Sequence, residues 1–215
     1  MGSQFALAQM RERGWRTDHV RVVPYGVDTH RFKPRAAPKT GGLLIVLYFG
    51  GLKPRKNVGA LLGVWEKVAP DFPNARLVIA GGGPLLPAYQ SLVRKHRIPN
   101  VSFLGYVPEA DKPFVYQSAD VFVFPSTLEG FGLPVLEAMA SGLPVITSTA
   151  SDFAHWLGSY AIPVNMPKAW GRRLRHLINN SDVRASIGEI NREAATRMTW
   201  ERCVEDTVKV YEEVL

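Results

Sequence analysis

The sequence predicts an α/β fold, a parallel β-sheet with helices on both faces. Three observations carry this. Short apolar runs suited to strands recur at six places between Leu43 and Val164, stretches of helical periodicity fill the gaps between them, and several runs end in glycine or proline turns. Strands separated by helices return in the same direction and pair in parallel, and such a sheet is covered on both faces. With 215 residues and 46% hydrophobic content the chain can bury one full core; it is long for one domain and short for two.

Taken in order, residues 3 to 13 are helix-like and Val20 to Val23 reads as a short strand. Arg35 to Gly42, rich in Pro, Ala, Lys and Gly, reads as a surface linker. The first core strand, Leu43 to Phe49, ends in Gly50-Gly-Leu-Lys-Pro-Arg-Lys-Asn57. This glycine turn, with Gly51 beside Gly50, carries the adjacent cations Arg55 and Lys56 into a helix over about 57 to 69, with Asn57 as its expected cap. The second strand, Arg76 to Ala80, ends in Gly81-Gly-Gly-Pro84, where Gly81 lets the backbone turn beside a ligand. A helix over 85 to 96 leads to the third strand, Val101 to Leu104, and to the loop Gly105-Tyr-Val-Pro108. A helix over 110 to 118, the strand Val121 to Phe124, a helix over 134 to 140, the strands Val145 to Thr147 and Ala161 to Val164, and a helix over 167 to 178 complete the repeat. In the terminal stretch Thr199 to Leu215, Trp200, Cys203, Val204, Thr207, Val208, Tyr211 and Leu215 recur at helical spacing, which predicts a helix with one face buried against something.

Parallel sheets bind ligands at the carboxyl ends of their strands, and the most informative of these ends is Glu129-Gly-Phe-Gly-Leu-Pro-Val-Leu-Glu137. Gly130, Gly132 and Pro134 forbid one continuous helix, so Glu129 falls on a tight loop and Glu137 on a helix opening near Pro134. Amides at that helix start, from Gly130 through Phe131, Gly132 and Leu133, can donate to phosphate oxygens, and the helix dipole favours negative charge there. Two carboxylates beside a phosphate would repel it, so Glu129 and Glu137 are better suited to accept hydrogen bonds from hydroxyls. A ligand with both phosphate and sugar hydroxyls fits. The plainer alternative is a strand-to-helix turn with a solvated loop acid and a capping Glu.

The formal charge of +7 and the pI near 9.7 admit nucleic acid, an anionic membrane or a phosphorylated small molecule as partner. The basic clusters Lys53 to Lys56, Arg94 to Arg97 and Arg172 to Arg175 form no long stripe with interleaved aromatics, which argues against nucleic acid. The single cysteine, Cys203, excludes an intramolecular disulfide and suits a reducing compartment. The longest apolar run is too short for a bilayer, which takes roughly 20 residues, and no signal peptide is expected, so the expected location is cytoplasmic. No Cys/His cluster has metal-ligand spacing, and no Ser/His/Asp order suggests a hydrolase triad.

Ser126-Thr-Leu-Glu-Gly-Phe-Gly-Leu-Pro-Val-Leu-Glu-Ala-Met-Ala-Ser-Gly-Leu-Pro-Val145 resembles the signature of the large family of retaining glycosyltransferases of the GT-B fold (glycosyltransferase family 4-like), and Pro24-Tyr-Gly-Val-Asp28 resembles that family's interdomain segment. The resemblance implies a Rossmann-like nucleotide-sugar-binding domain, the C-terminal half of a GT-B glycosyltransferase, over residues 20–198. Residues 1–19 would be the remnant of an N-terminal acceptor domain and interdomain segment, and 199–215 a helix that crosses back to that domain. It implies a nucleoside-diphosphate sugar as donor substrate, no cofactor and no required metal, with Lys56 contacting the diphosphate. The family has an Arg where this chain has Gly51, and Arg55 is the expected substitute. Glu129 would hold donor-sugar hydroxyls, Glu137 the ribose, and Tyr106 and Val107 the nucleobase. The acceptor would be a polysaccharide, a lipid-linked or a small molecule, with peripheral contact to the inner face of an anionic membrane open to the whole enzyme. Two other classes stay open: a non-catalytic nucleotide-sugar-binding module or subunit of a split enzyme, and another GT-B enzyme such as a nucleotide-sugar epimerase.

Overall fold

The computed structural model describes residues 1–36 and 41–213. Among these, six strands form one parallel sheet: β1 (Leu44–Phe49), β2 (Ala75–Ala80), β3 (Val101–Gly105), β4 (Val121–Phe124), β5 (Val145–Ser148) and β6 (Ala161–Ile162), in the spatial order β3-β2-β1-β4-β5-β6. The chain begins at the centre, winds out to one edge, then returns beside β1 and winds to the other. β1 and β4, paired through Val46 to Val121 and Leu47 to Phe122, are thus the two strands from which the connections leave in opposite senses. That reversal opens a crevice at their carboxyl ends. Val46, Leu47, Tyr48 and all of β4 are fully buried, because central parallel strands are covered on both faces.

The helices are α1 (Gln4–Glu12), α2 (Val58–Val68), α3 (Leu86–His96), α4 (Lys112–Ser118), α5 (Leu133–Ala140), α6 (Ala154–Leu157), α7 (Pro167–Asn179), α8 (Ser181–Thr196) and α9 (Trp200–Glu212). α2 buries Leu61, Leu62, Trp65 and Val68 and packs against α7, whose Trp170, Leu174 and Leu177 complete that layer. α8, which the sequence pattern does not announce, packs on α5. Its Asn191 amide donates to the Leu143 carbonyl at 2.8 Å, and the Arg192 guanidinium reaches the carbonyls of Ala140 at 2.7 Å, Phe32 at 2.9 Å and Thr29 at 3.1 Å. One arginine thereby ties the segment before β1 to the domain.

Three expectations need correction. Val20 to Val23 joins no sheet; the Val23 amide bonds the Met1 carbonyl at 2.8 Å, and among the described residues no strand pairs with it. Asn57 stands at the start of α2 in the left-handed conformation, φ 56°, and its side chain makes no cap bond, because the 3₁₀ turn Pro54–Lys56 runs straight into the helix there. α9 buries no residue: Trp200, Val204, Val208 and Tyr211 are exposed, and the Trp200 ring lies 6.2 Å from the Tyr25 ring between centroids. The end of that helix toward Leu215 and the linker residues 37–40 lie outside the described residues. α1 instead docks on this domain, capped by Ser3, with Leu7 buried and the Phe5 amide on the Asp152 carboxylate at 2.6 Å. No helix among the described residues is long and apolar enough to cross a membrane.

Candidate functional site

The ends of β1 and β2 are held unusually close. Gly81 has φ 122°, and a β-carbon there would run into the Gly50 carbonyl. The Gly50 amide bonds the Ala80 carbonyl at 2.9 Å and the Leu52 amide bonds the Gly82 carbonyl at 2.8 Å, so pairing continues past the strands through backbone that only glycine permits. The Gly50–Gly51 loop is pinned by this, and the Pro54–Lys56 turn is directed across to the end of β4. There Thr127 closes the seam, its amide and hydroxyl both donating to the Arg55 carbonyl, at 2.8 and 3.1 Å.

Lys56 turns inward. Its ammonium lies 4.5 Å from the centre of the Phe124 ring and donates to the Glu129 carboxylate, with both side chains nine-tenths buried. Burial holds Lys56 below the ordinary lysine pKa, while the hydrogen bond and charge of Glu129 oppose that shift. Arg55, half-exposed, reaches the same carboxylate at 3.5 Å and the Leu128 carbonyl at 3.1 Å. Arg55 and Lys56 thus meet on one carboxylate. Beneath them the Tyr48 hydroxyl donates to the Gly51 carbonyl at 3.2 Å, and burial, with the Glu129 charge second, pushes its pKa up.

From Glu129 the chain runs into α5 through Gly132, whose φ of 101° closes the turn. Val135 is the first amide to bond back, to the Gly132 carbonyl at 2.8 Å, so the amides of Gly130 to Leu133 precede the helical ladder and Pro134 has none to offer. The Phe131 ring is buried edge-on against Tyr25 and Phe153, at 5.3 and 5.2 Å, and anchors the loop, while its amide is among those ahead of the helix.

Glu137, one turn further, is buried and bound at both oxygens. Oε2 accepts from the Tyr116 hydroxyl at 2.7 Å and Oε1 from the Lys112 ammonium at 3.3 Å. Neither acid behaves as the plainer alternative required: Glu129 is not solvated and Glu137 does not cap. Burial raises the Glu137 pKa, and Tyr116 and Lys112 pull it back. Burial would lower Lys112, but Glu109 at 2.8 Å and Glu137 overcome it and leave it raised. Lys112 and Tyr116 escaped the sequence reading although their spacing of four places them on one helix face. In the loop before α4, Tyr106 is 79% exposed and Val107 half-buried, so Tyr106 is not core packing. The Gly81 amide donates to the Gly105 carbonyl at 2.7 Å and joins that loop to the glycine turn.

A cleft of about 480 Å³ lies between α1 and the Arg55–Glu129 side, lined by Gln9, Arg13, Trp15 and Gly130 among others. A cavity of about 550 Å³ lies at the opposite, amino ends of the strands, around Arg35, Asp120 and Pro144, away from this chemistry. Among the described residues no three His, Cys, Asp or Glu side chains gather as a metal ligand set.

A doubly wound sheet with two cations and two buried carboxylates at its switch point defines a class, a Rossmann-like α/β domain with a ligand crevice. The family model for glycosyl transferases group 1 matches residues 30–194, and the chain belongs to that family. It is 32% identical over 171 residues to O-antigen chain mannosyltransferase B of Escherichia coli, covering 77% of this chain and 45% of that protein. Sucrose-phosphate synthase from Thermosynechococcus elongatus superposes with a TM-score of 0.87 at 23% identity, covering 100% of this chain and 57% of that one. Anabaena Alr3699/HepE, solved in complex with UDP and glucose, superposes with a TM-score of 0.82 at 19% identity, covering 99% of this chain and 61% of that one. These neighbours are GT-B glycosyltransferases. The chain spans about half the length of the curated relatives it matches.

Proposed function

We propose that this chain is the donor half of a retaining glycosyltransferase: it binds a nucleoside-diphosphate sugar in the crevice between β1 and β4 and, with an acceptor domain, passes the sugar to a polysaccharide, lipid-linked or small-molecule acceptor. The observation that carries this reading is the buried Lys56–Glu129 pair at the switch point, directly before the amino end of α5. A diphosphate entering there would take the Lys56 ammonium from Glu129 and receive the amides of Gly130 to Leu133 and the Arg55 guanidinium. Donors already aimed at the leaving diphosphate stabilise the charge that develops as the glycosidic bond breaks. Glu129, released, would accept from donor-sugar hydroxyls, and Glu137 from the ribose, with Tyr106 and Val107 against the base. These cations and the helix dipole supply the neutralisation, and the reading uses no metal. UDP and glucose in the Anabaena neighbour support this ligand class. The excess positive charge suits a phosphorylated donor and, for the whole enzyme, peripheral contact with the inner face of an anionic membrane in the cytoplasm.

Isothermal titration with uridine, guanosine and adenosine diphosphates tests the reading. At least one should bind, and Lys56→Ala should weaken every diphosphate alike by about 1.5–3 kcal/mol, the scale of a hydrogen bond to a charged group. No heat with any of the three would overturn it.

A further inference from the structure

We propose that Lys112 is a positioning residue which, with the Tyr116 hydroxyl, holds the Glu137 carboxylate ionised and oriented so that each of its oxygens keeps an acceptor site for the vicinal hydroxyls of a ribose. The inference deepens the donor reading and rests on it.

The geometry is a division of labour between the two oxygens. Tyr116 occupies one acceptor site on Oε2 at 2.7 Å, and Lys112 one on Oε1 at 3.3 Å. A carboxylate offers about four lone-pair sites over its two oxygens. One site on each oxygen is left over, and two adjacent hydroxyls supply the two donors that match. Only the ionised form presents this pair, since a protonated carboxyl turns one oxygen into a donor. Burial works against ionisation, so a cation must compensate. Lys112 is placed to do so, because Glu109 holds it from the solvent side at 2.8 Å and the Phe49 ring lies 5.6 Å away.

The groups facing this carboxylate come from three directions. α4 contributes Lys112 and Tyr116, and the turn before it contributes Glu109, whose charge acts against ionisation from an exposed position. From its own helix Ser141 comes near, but its hydroxyl donates to the Glu137 backbone carbonyl at 2.9 Å and not to the carboxylate. Lys112 is the cation of the set. A merely structural bridge stapling α4 to α5 would change stability without changing which sugar is preferred, and this difference can be measured.

The probe is whichever of uridine or guanosine diphosphate binds more tightly, compared with its 2′-deoxy analogue. Taking the affinity ratio of the two cancels titration of the phosphates. The unaltered chain should favour the ribose form, and Lys112→Met should reduce that ratio on the order of tenfold at neutral pH, the scale of one hydrogen bond to a charged group. Lys112→Arg should restore it. Independently of any ligand, the Glu137 carboxyl titrated by carbon NMR should have its midpoint raised in Lys112→Met and returned in Lys112→Arg. Lys112→Gln serves if Lys112→Met does not fold. Binding by the unaltered chain together with an unmoved ratio and midpoint in the variants overturns the proposal alone. No nucleotide binding by the unaltered chain overturns the donor reading and the proposal with it.

Discussion

At the residue scale, Lys56 and Glu129 are assigned to different parts of a donor, yet here they bond to each other. Both are nine-tenths buried, and each keeps the other from standing as an uncompensated charge. Their roles in stability are unequal. Glu129 has Arg55 as a second cation, whereas among the described residues Glu129 is the carboxylate that Lys56 meets, and burial already holds its pKa below the ordinary lysine value. With a depressed folded-state pKa, the stabilising contribution of Lys56 is present above the ordinary lysine pKa and is lost as pH falls through the depressed one. At neutral pH its ammonium is therefore a net cost to folding. Urea denaturation at neutral pH should show Lys56→Met losing no stability while binding diphosphates more weakly, and Glu129→Gln losing about 1–3 kcal/mol, the cost of leaving a buried charged group unpaired. Equal losses in both variants would contradict this asymmetry. The gap between the unaltered chain and Lys56→Met should also close as pH rises toward about 10, where the unfolded lysine gives up its proton. Lys56, Glu129 and Glu137 were legible in the sequence because glycine and proline punctuation locates loops. Lys112 and Tyr116 were not, since nothing in a single chain says that this face of α4 meets the carboxylate of α5.

At the element scale, the sheet was legible because its strands are continuous apolar runs bounded by turn residues, and Leu44–Phe49 and Val121–Phe124 fall within a residue of where those runs place them. α8 was not, for a physical reason. Its contacts with α5 and the segment before β1 include the close backbone approach of Gly188 and the polar bonds of Asn191 and Arg192 to carbonyls, which an apolar pattern does not flag. The Val20–Val23 strand failed in the opposite way: β-branched residues supply propensity, but a strand needs a neighbour, and among the described residues no strand pairs with it. The same reasoning predicts what holds α8 down. A β-carbon at Gly188 would collide with the Gly142 carbonyl at the end of α5, a backbone atom that cannot swing aside. Gly188→Ala should cost about 1–3 kcal/mol by overpacking, outweighing the gain in helix propensity, and should show as a lowered thermal midpoint. A stabilised variant would mean that α8 does not lie this close to α5.

At the scale of the whole molecule, the crevice carries cations, helix amides and carboxylates suited to the proposed donor, and the chain spans about half the length of its curated relatives. Sugar transfer also needs an acceptor hydroxyl held against the donor carbon, and such alignment accounts for about 7–11 kcal/mol of barrier lowering. On the proposed reading that hydroxyl comes from a separate acceptor domain. α9 points the same way. Its Trp200, Val204, Val208 and Tyr211 repeat at helical spacing and remain exposed, an apolar stripe of the kind that normally lies against a partner surface. The purified chain should therefore bind the donor and hydrolyse it slowly, with little transfer to any acceptor. Adding the acceptor half of the same enzyme should restore transfer and slow amide hydrogen exchange along α9, while nucleotide affinity measured on the donor half changes little. Trp200→Glu with Val208→Glu should block that restoration without weakening nucleotide binding, because the stripe is remote from Lys56 and Glu137 in the sequence and contributes nothing to their contacts. Robust glycosylation of an acceptor by the chain alone would overturn the half-enzyme reading and direct attention to the cleft between α1 and Glu129, where Trp15 and Arg13 would then be the residues to change first.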